Sequence, residues 1–152
     1  MRWIFAALLM MWSTVAMAAE PAAKAAIKVM LLDGASAAAY HDWKLTTQIM
    51  KRELEETGRF AVTVVSAPPA DGDFSNFHPD FAQYGVVVLN YDSQDWPAPL
   101  KTAFETYMKN GGGLVVVHGA DNAFPDWPAF NEMTGVGGWR KRDAERDNGG
   151  RK

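Results

Sequence analysis

At 152 residues the chain suits one domain with its own buried core, and a net charge of −3 offers no electrostatic footprint for nucleic acid or an acidic membrane surface. It contains no cysteine, which excludes disulfides, thiolate metal sites, a cysteine nucleophile and lipidation of a leader cysteine. Six tryptophans are many for this length. Four of them, Trp43, Trp96, Trp127 and Trp139, stand in polar loop sequence. An indole there suits two roles: stacking on a sugar, or closing the core under a long loop.

The chain opens with a short positive start, Met1-Arg2, then a mostly apolar run from Trp3 to Val15, then Ala16-Met17-Ala18 in small-x-small form. Residues 1–18 read as a secretory signal peptide cut after Ala18, with an uncleaved anchor as the alternative, since the run is short for a bilayer span. The mature protein is expected to be exported, periplasmic or extracellular, touching membrane only through this leader. Residues 19–26, alanine-rich with Glu20, Pro21 and Lys24, read as a flexible lead-in.

The first strand is Ile27 to Leu32, ended by the turn-forming pair Asp33-Gly34. After a small-residue loop, His41-Asp42-Trp43 opens a helix with Asp42 as its N-cap. Trp43, Thr47, Met50 and Leu54 recur at helical spacing on one face, and Gly58 supplies a left-handed stop. Ala61 to Val65 is short and β-branched, the second strand. Phe74, Phe77, Phe81 and Tyr84 then pack a connecting loop onto the sheet, with Pro79 allowing only a short helical turn near Asp80 to Gln83. Val86 to Leu89 is the third strand. Asp95-Trp96-Pro97 starts a helix whose apolar face is Leu100, Ala103, Phe104, Tyr107 and Met108, and Asn110 with Gly111, Gly112 and Gly113 stops it. Leu114 to Val117 is the fourth strand. This alternation implies an α/β fold with a parallel sheet, right-handed crossovers and helices on both faces, and a flavodoxin-like order, 2-1-3-4, is expected for it. No internal repeat is present. Residues 140–152 carry six positive charges, three acidic residues and nothing apolar larger than alanine. They read as a disordered basic tail, solvated rather than bound to nucleic acid or lipid.

In open α/β sheets ligands bind at the carboxyl ends of the strands. Here that edge collects Asp33, His41, Asp42, Asn90, Tyr91, Asp92, His118, Asp121 and Asn122. His118 directly follows the fourth strand, where an imidazole suits a general base or a metal ligand, or else a backbone-satisfied strand end. His41 has the same readings. A His41–His118 pair with Asp121 or Asp42 would suit zinc or another divalent ion, although no ligand-spacing motif marks one. His78 reads as structural or surface. Asp121 and Asn122 suit orienting a histidine, binding sugar hydroxyls, or forming a turn. Asp42 and Asp126 each precede a tryptophan, a carboxylate beside a flat ring, as carbohydrate recognition uses; for Asp42 capping is preferred. Gly111-Gly112-Gly113 precedes a strand and lacks a following lysine, so it is no phosphate loop. Gly135 to Trp139 has no leading strand and is no dinucleotide fingerprint. Both read as turns.

His41-Asp42-Trp43, Asp95-Trp96-Pro97, the run from Gly111 to His118, the run from Asp121 to Trp127, and Gly137-Gly138-Trp139 together resemble the ThuA-like (trehalose utilisation) family. The resemblance runs from about residue 27 to 139, the expected domain. It implies the flavodoxin-like three-layer sandwich of class I glutamine amidotransferases. Those enzymes place a nucleophilic cysteine at the elbow where this chain has His118-Gly119-Ala120, so thiolate amidotransferase chemistry is excluded. The resemblance also implies sugar catabolism, and carries His41, Asp42, His118 and Asp121 as site residues. Members of the family continue past the Gly-Gly-Trp motif, so the expected fold is truncated at its C-terminus, with an unpaired sheet edge or a bare face. The sequence thus predicts an exported protein whose partner is a small-molecule sugar or glycoside. His118 and His41 would be catalytic with Asp121 orienting them. Asp42, Trp43, Asn90, Asn122 and Trp127 would hold substrate, in a hydrolase or isomerase. A non-catalytic carbohydrate-binding module and an inactive fragment are the competing readings.

Overall fold

The structure, a computed structural model, describes residues 25–36 and 41–135. The leader, the basic tail and Gly137-Gly138-Trp139 lie outside the described residues. The elements run β1 (Ile27–Asp33), α1 (Trp43–Glu56), β2 (Phe60–Ser66), a 3-10 turn (Phe81–Gln83), β3 (Val86–Leu89), α2 (Ala98–Lys109), β4 (Gly113–Val116), a second 3-10 turn (His118–Asn122) and α3 (Pro128–Thr134). The four strands form one parallel sheet in the order β2-β1-β3-β4, as the alternation of elements predicted.

Strand side chains alternate between two faces, and each face has its own cover. Val29, Leu31, Val62 and Val88 point to the face closed by Met50 and Leu54 of α1. Met30, Leu32, Val87 and Leu89 point to the other, closed by Leu100, Phe104 and Tyr107 of α2 and Phe130 of α3. The central strands are buried on both faces, which is why they read as continuous apolar runs rather than alternating ones. Each such side chain contributes about 1.5–3 kcal/mol on burial. The connecting loop lies where its aromatics placed it: Phe74 and Phe81 are in the core, with Phe77 and Tyr84 packed against it.

Local chemistry sets the ends. Asp42 caps α1, its Oδ1 accepting the Leu45 N–H at 3.0 Å, a bond worth about 1 kcal/mol. Gly58, at φ +67°, makes the left-handed exit. Helix α2 begins one residue after Pro97, which occupies the cap. Helix α3 was not anticipated. It is only seven residues long, with Pro128 in its first turn, Phe130 buried and Gly135 left-handed at its end; a segment this short is held by tertiary packing more than by its own pattern. On the far side, β4 has no second neighbour among the described residues, and Val115 on its α1-side face is 49% exposed. No described helix is long and apolar enough to cross a membrane.

Tyr91, one residue past Asn90 and 1% exposed, sets a pH limit on the fold. Its hydroxyl donates to the Gln94 carbonyl at 2.7 Å, and burial pushes the phenol up to about 12 from 10.0. The folded state therefore favours the protonated ring. Its contribution, about 3 kcal/mol, is intact below pH 10 and is lost as pH rises from 10 to 12. Burial also raises Tyr107, which adds in the same direction. Urea denaturation followed across this window should show stability falling with pH. The fall should be shallower in Tyr91→Phe, with the slope due to Tyr107 remaining.

Candidate functional site

The site lies at the carboxyl edge of β1, β3 and β4. Val117 continues the β3–β4 pairing one residue past the strand, its N–H donating to the Leu89 carbonyl at 2.9 Å. The chain then turns sharply: His118 has φ +43°, and the 3-10 turn starts there. Left-handed backbone costs a non-glycine residue about 1–2 kcal/mol, and such strain concentrates at functional sites. His41 comes from the opposite wall, in the loop after β1, immediately before the cap of α1.

The two imidazoles meet edge to face, centroids 4.8 Å apart and planes at 81°. Ser36 Oγ lies 3.2 Å from His41 Nδ1 and fixes the ring from behind. Gly119 makes the approach possible. A β carbon there would stand 3.0 Å from His41 Cε1 and 3.1 Å from Nδ1, tighter than ordinary contact. Gly119→Ala should therefore push the His41 ring away from His118 and lower stability by about 1–3 kcal/mol, as overpacking does. Imidazole NMR resonances that stay in place in this variant would show that the contact does not depend on the glycine.

Around the pair opens a crevice of about 150 Å³, lined by Asp42, Trp43, Thr46, Asn90 and Asp92 among others. Its walls are braced by their own hydrogen bonds. The Asn90 amide donates to the Trp43 carbonyl at 3.2 Å and to Thr47 Oγ1 at 3.1 Å, tying the start of α1 to the end of β3. Thr46 Oγ1 donates to the Asp42 carbonyl at 2.9 Å. Trp43 is half-buried, with Lys44 Nζ 5.4 Å from its ring centroid.

Of the residues named from sequence, the crevice brings together His41, His118, Asp42, Trp43 and Asn90. The other three lie elsewhere. Asp121 lines a separate groove of about 380 Å³ beside β4, with Leu114, Val116 and Met133, and shares only its His118 rim with the crevice. Asn122 does not line the crevice, and its Oδ1 is buried without a hydrogen-bond partner. Trp127 is a core residue, 4% exposed and stacked on Phe130, its N–H donating to Glu105 Oε1 at 2.9 Å; the geometry gives it a packing role in place of the expected substrate contact. Trp96 is likewise buried, tilted against Phe124, so among the three loop tryptophans that are described only Trp43 lines the crevice. Asp33 is buried too, accepting the Ser66 hydroxyl at 2.5 Å. The divalent-metal reading finds two imidazoles side by side. Among the described residues, no group of three His, Cys, Asp or Glu side chains is arranged to hold a metal ion.

Sequence reasoning passed over three contributors. Ser36 sat in a loop with no pattern, Gly119 was one glycine among many, and Asp92 was placed on the edge without a role. The signal for Gly119 was its position directly after a strand-end histidine, where another backbone must come close.

The model of the ThuA family, described as trehalose utilisation, matches residues 7–149. A ThuA-like protein from Parabacteroides merdae ATCC 43184 is 41% identical, with a TM-score of 0.71 over 78% of this chain and 41% of that one. A second, from Bacteroides uniformis ATCC 8492, is 26% identical, with a TM-score of 0.54 over 77% of this chain and 47% of that one. The chain thus spans less than half the length of either structure. No curated protein matches it. With the family model covering most of its length, and the parallel sheet shared with two ThuA-like structures, the chain belongs to the ThuA (trehalose utilisation) family.

Proposed function

We propose that the crevice binds a sugar or glycoside, in a role related to trehalose utilisation, and that His118 and His41 move protons on it. One observation carries the reading: two imidazoles from different loops in edge contact at the strand ends, one of them on left-handed backbone. A pair so placed can take a proton from a sugar hydroxyl on one ring and return it from the other, as general acid–base catalysis requires. Asp42 and Trp43 line the same crevice, and a carboxylate with a flat ring suits hydroxyls and a pyranose face. Export is part of the proposal and is supported by the leader pattern of Met1 to Ala18.

The test is turnover of trehalose and a panel of glycosides by the full chain, by His118→Ala and by His41→Ala. Activity lost in both variants, with near-ultraviolet circular dichroism unchanged, is expected. Saturable sugar binding that survives both replacements without turnover would instead identify a carbohydrate-binding module.

A further inference from the structure

We propose that Asp92 is the acceptor for two adjacent hydroxyls of the ligand, which makes the ligand a polyol seated on a carboxylate beside His41. The inference rests on the reading of the crevice as a sugar site. Asp92 is placed by backbone. Its N–H donates to the Ala35 carbonyl at 3.0 Å, and it forms a parallel bridge with Ser36. The β1–β3 pairing thus extends past both strands and sets the side chain on the crevice wall. Asp92 Oδ2 lies 4.0 Å from the point where a β carbon on Gly119 would stand, the same point that His41 Cε1 and Nδ1 approach to 3.0 and 3.1 Å. Carboxylate and imidazole therefore both approach Gly119, and both line the crevice.

Several polar groups of the crevice also help to build it. Asp42 Oδ1 caps α1, the Asn90 amide holds α1 to β3, and the Ser36 hydroxyl meets His41. A carboxylate offers two oxygens and about four lone-pair sites, so Asp92 has capacity for ligand donors beside any protein donor it serves. Neighbouring hydroxyls of a sugar ring present two O–H donors that a carboxylate can accept together, and bonds to an ionised acceptor are the stronger kind. A sugar held this way sets a hydroxyl against His41, which joins binding to proton transfer.

The experiment is isothermal titration of the full chain with trehalose, and with methyl glucoside and its monodeoxy analogues. In the wild type, removing one hydroxyl of the recognised pair should weaken binding at least tenfold. Asp92→Asn should bind trehalose at least tenfold more weakly and show no further loss with that deoxy analogue. Asp92→Glu, which keeps the charge but moves the oxygens by one methylene, should also weaken binding, and serves if Asp92→Asn loses its native near-ultraviolet spectrum. Trehalose binding within twofold of wild type in Asp92→Asn, or a deoxy penalty that persists there, overturns the inference and leaves the sugar site standing. Absence of any sugar binding by the wild type overturns the sugar reading and this inference with it.

Discussion

Replacing His118 should lower turnover by a hundredfold to ten-thousandfold, the range general acid–base groups contribute, while the fold survives. The two informative replacements differ only in backbone. His118→Ala removes the imidazole and keeps a β carbon on a residue at φ +43°. His118→Gly removes the imidazole and the strain together, since glycine enters left-handed conformations without steric penalty. Both variants should be inactive. The glycine variant should be the more stable by about 1 kcal/mol in urea denaturation. The strain is thus a cost of placing an imidazole at the end of β4, and relieving it should not restore function. Turnover retained in either variant would remove His118 from the chemistry. Equal stability of the two would show that the turn does not hold residue 118 left-handed.

Trp127→Ala should be among the most destabilising single changes, by about 3–5 kcal/mol, a large share of the 5–15 kcal/mol that holds a typical domain. The indole is packed between Trp96, Phe104, Phe124 and Phe130, with ring centroids 5.3–6.1 Å away, and its N–H is engaged by Glu105. Truncation opens a cavity that these rings cannot fill and takes the indole donor from the half-buried Glu105 carboxylate, whose other oxygen keeps Lys109. Trp127→Phe keeps most of the packing and should lose only about 1–2 kcal/mol. Sugar binding should persist in Trp127→Phe wherever the protein remains folded. Loss of sugar affinity with unchanged stability would return Trp127 to the substrate site.

The contrast between Trp43 and Trp127 shows what the sequence holds and what it does not. Both lie beside an aspartate in polar sequence, and both read equally well as stacking platforms. Only chain placement separates them: Trp43 opens α1 at the crevice, while Trp127 precedes a short helix folded back over the opposite face. The sheet order was legible because the strands alternate with helices and every parallel crossover constrains the next. The convergence of His41 and His118 followed from that order, since both loops leave the same edge. Asp121 lines a neighbouring groove because it lies three residues into a 3-10 turn that starts at His118, the residue that borders both. A residue's direction after a left-handed turn is not written in the spacing of its neighbours. Ser36 was hidden, and Asp92 on the edge had no role, for a related reason: a backbone bridge outside the named strands brings them together.

The proposed ligand site is one crevice framed by two touching imidazoles. Titrating the folded chain with trehalose while recording the histidine side-chain NMR resonances tests it directly. The His41 and His118 imidazole signals should move together and saturate with the ligand, while that of His78, outside the crevice, stays in place. Saturable binding that leaves both imidazoles unmoved would contradict it.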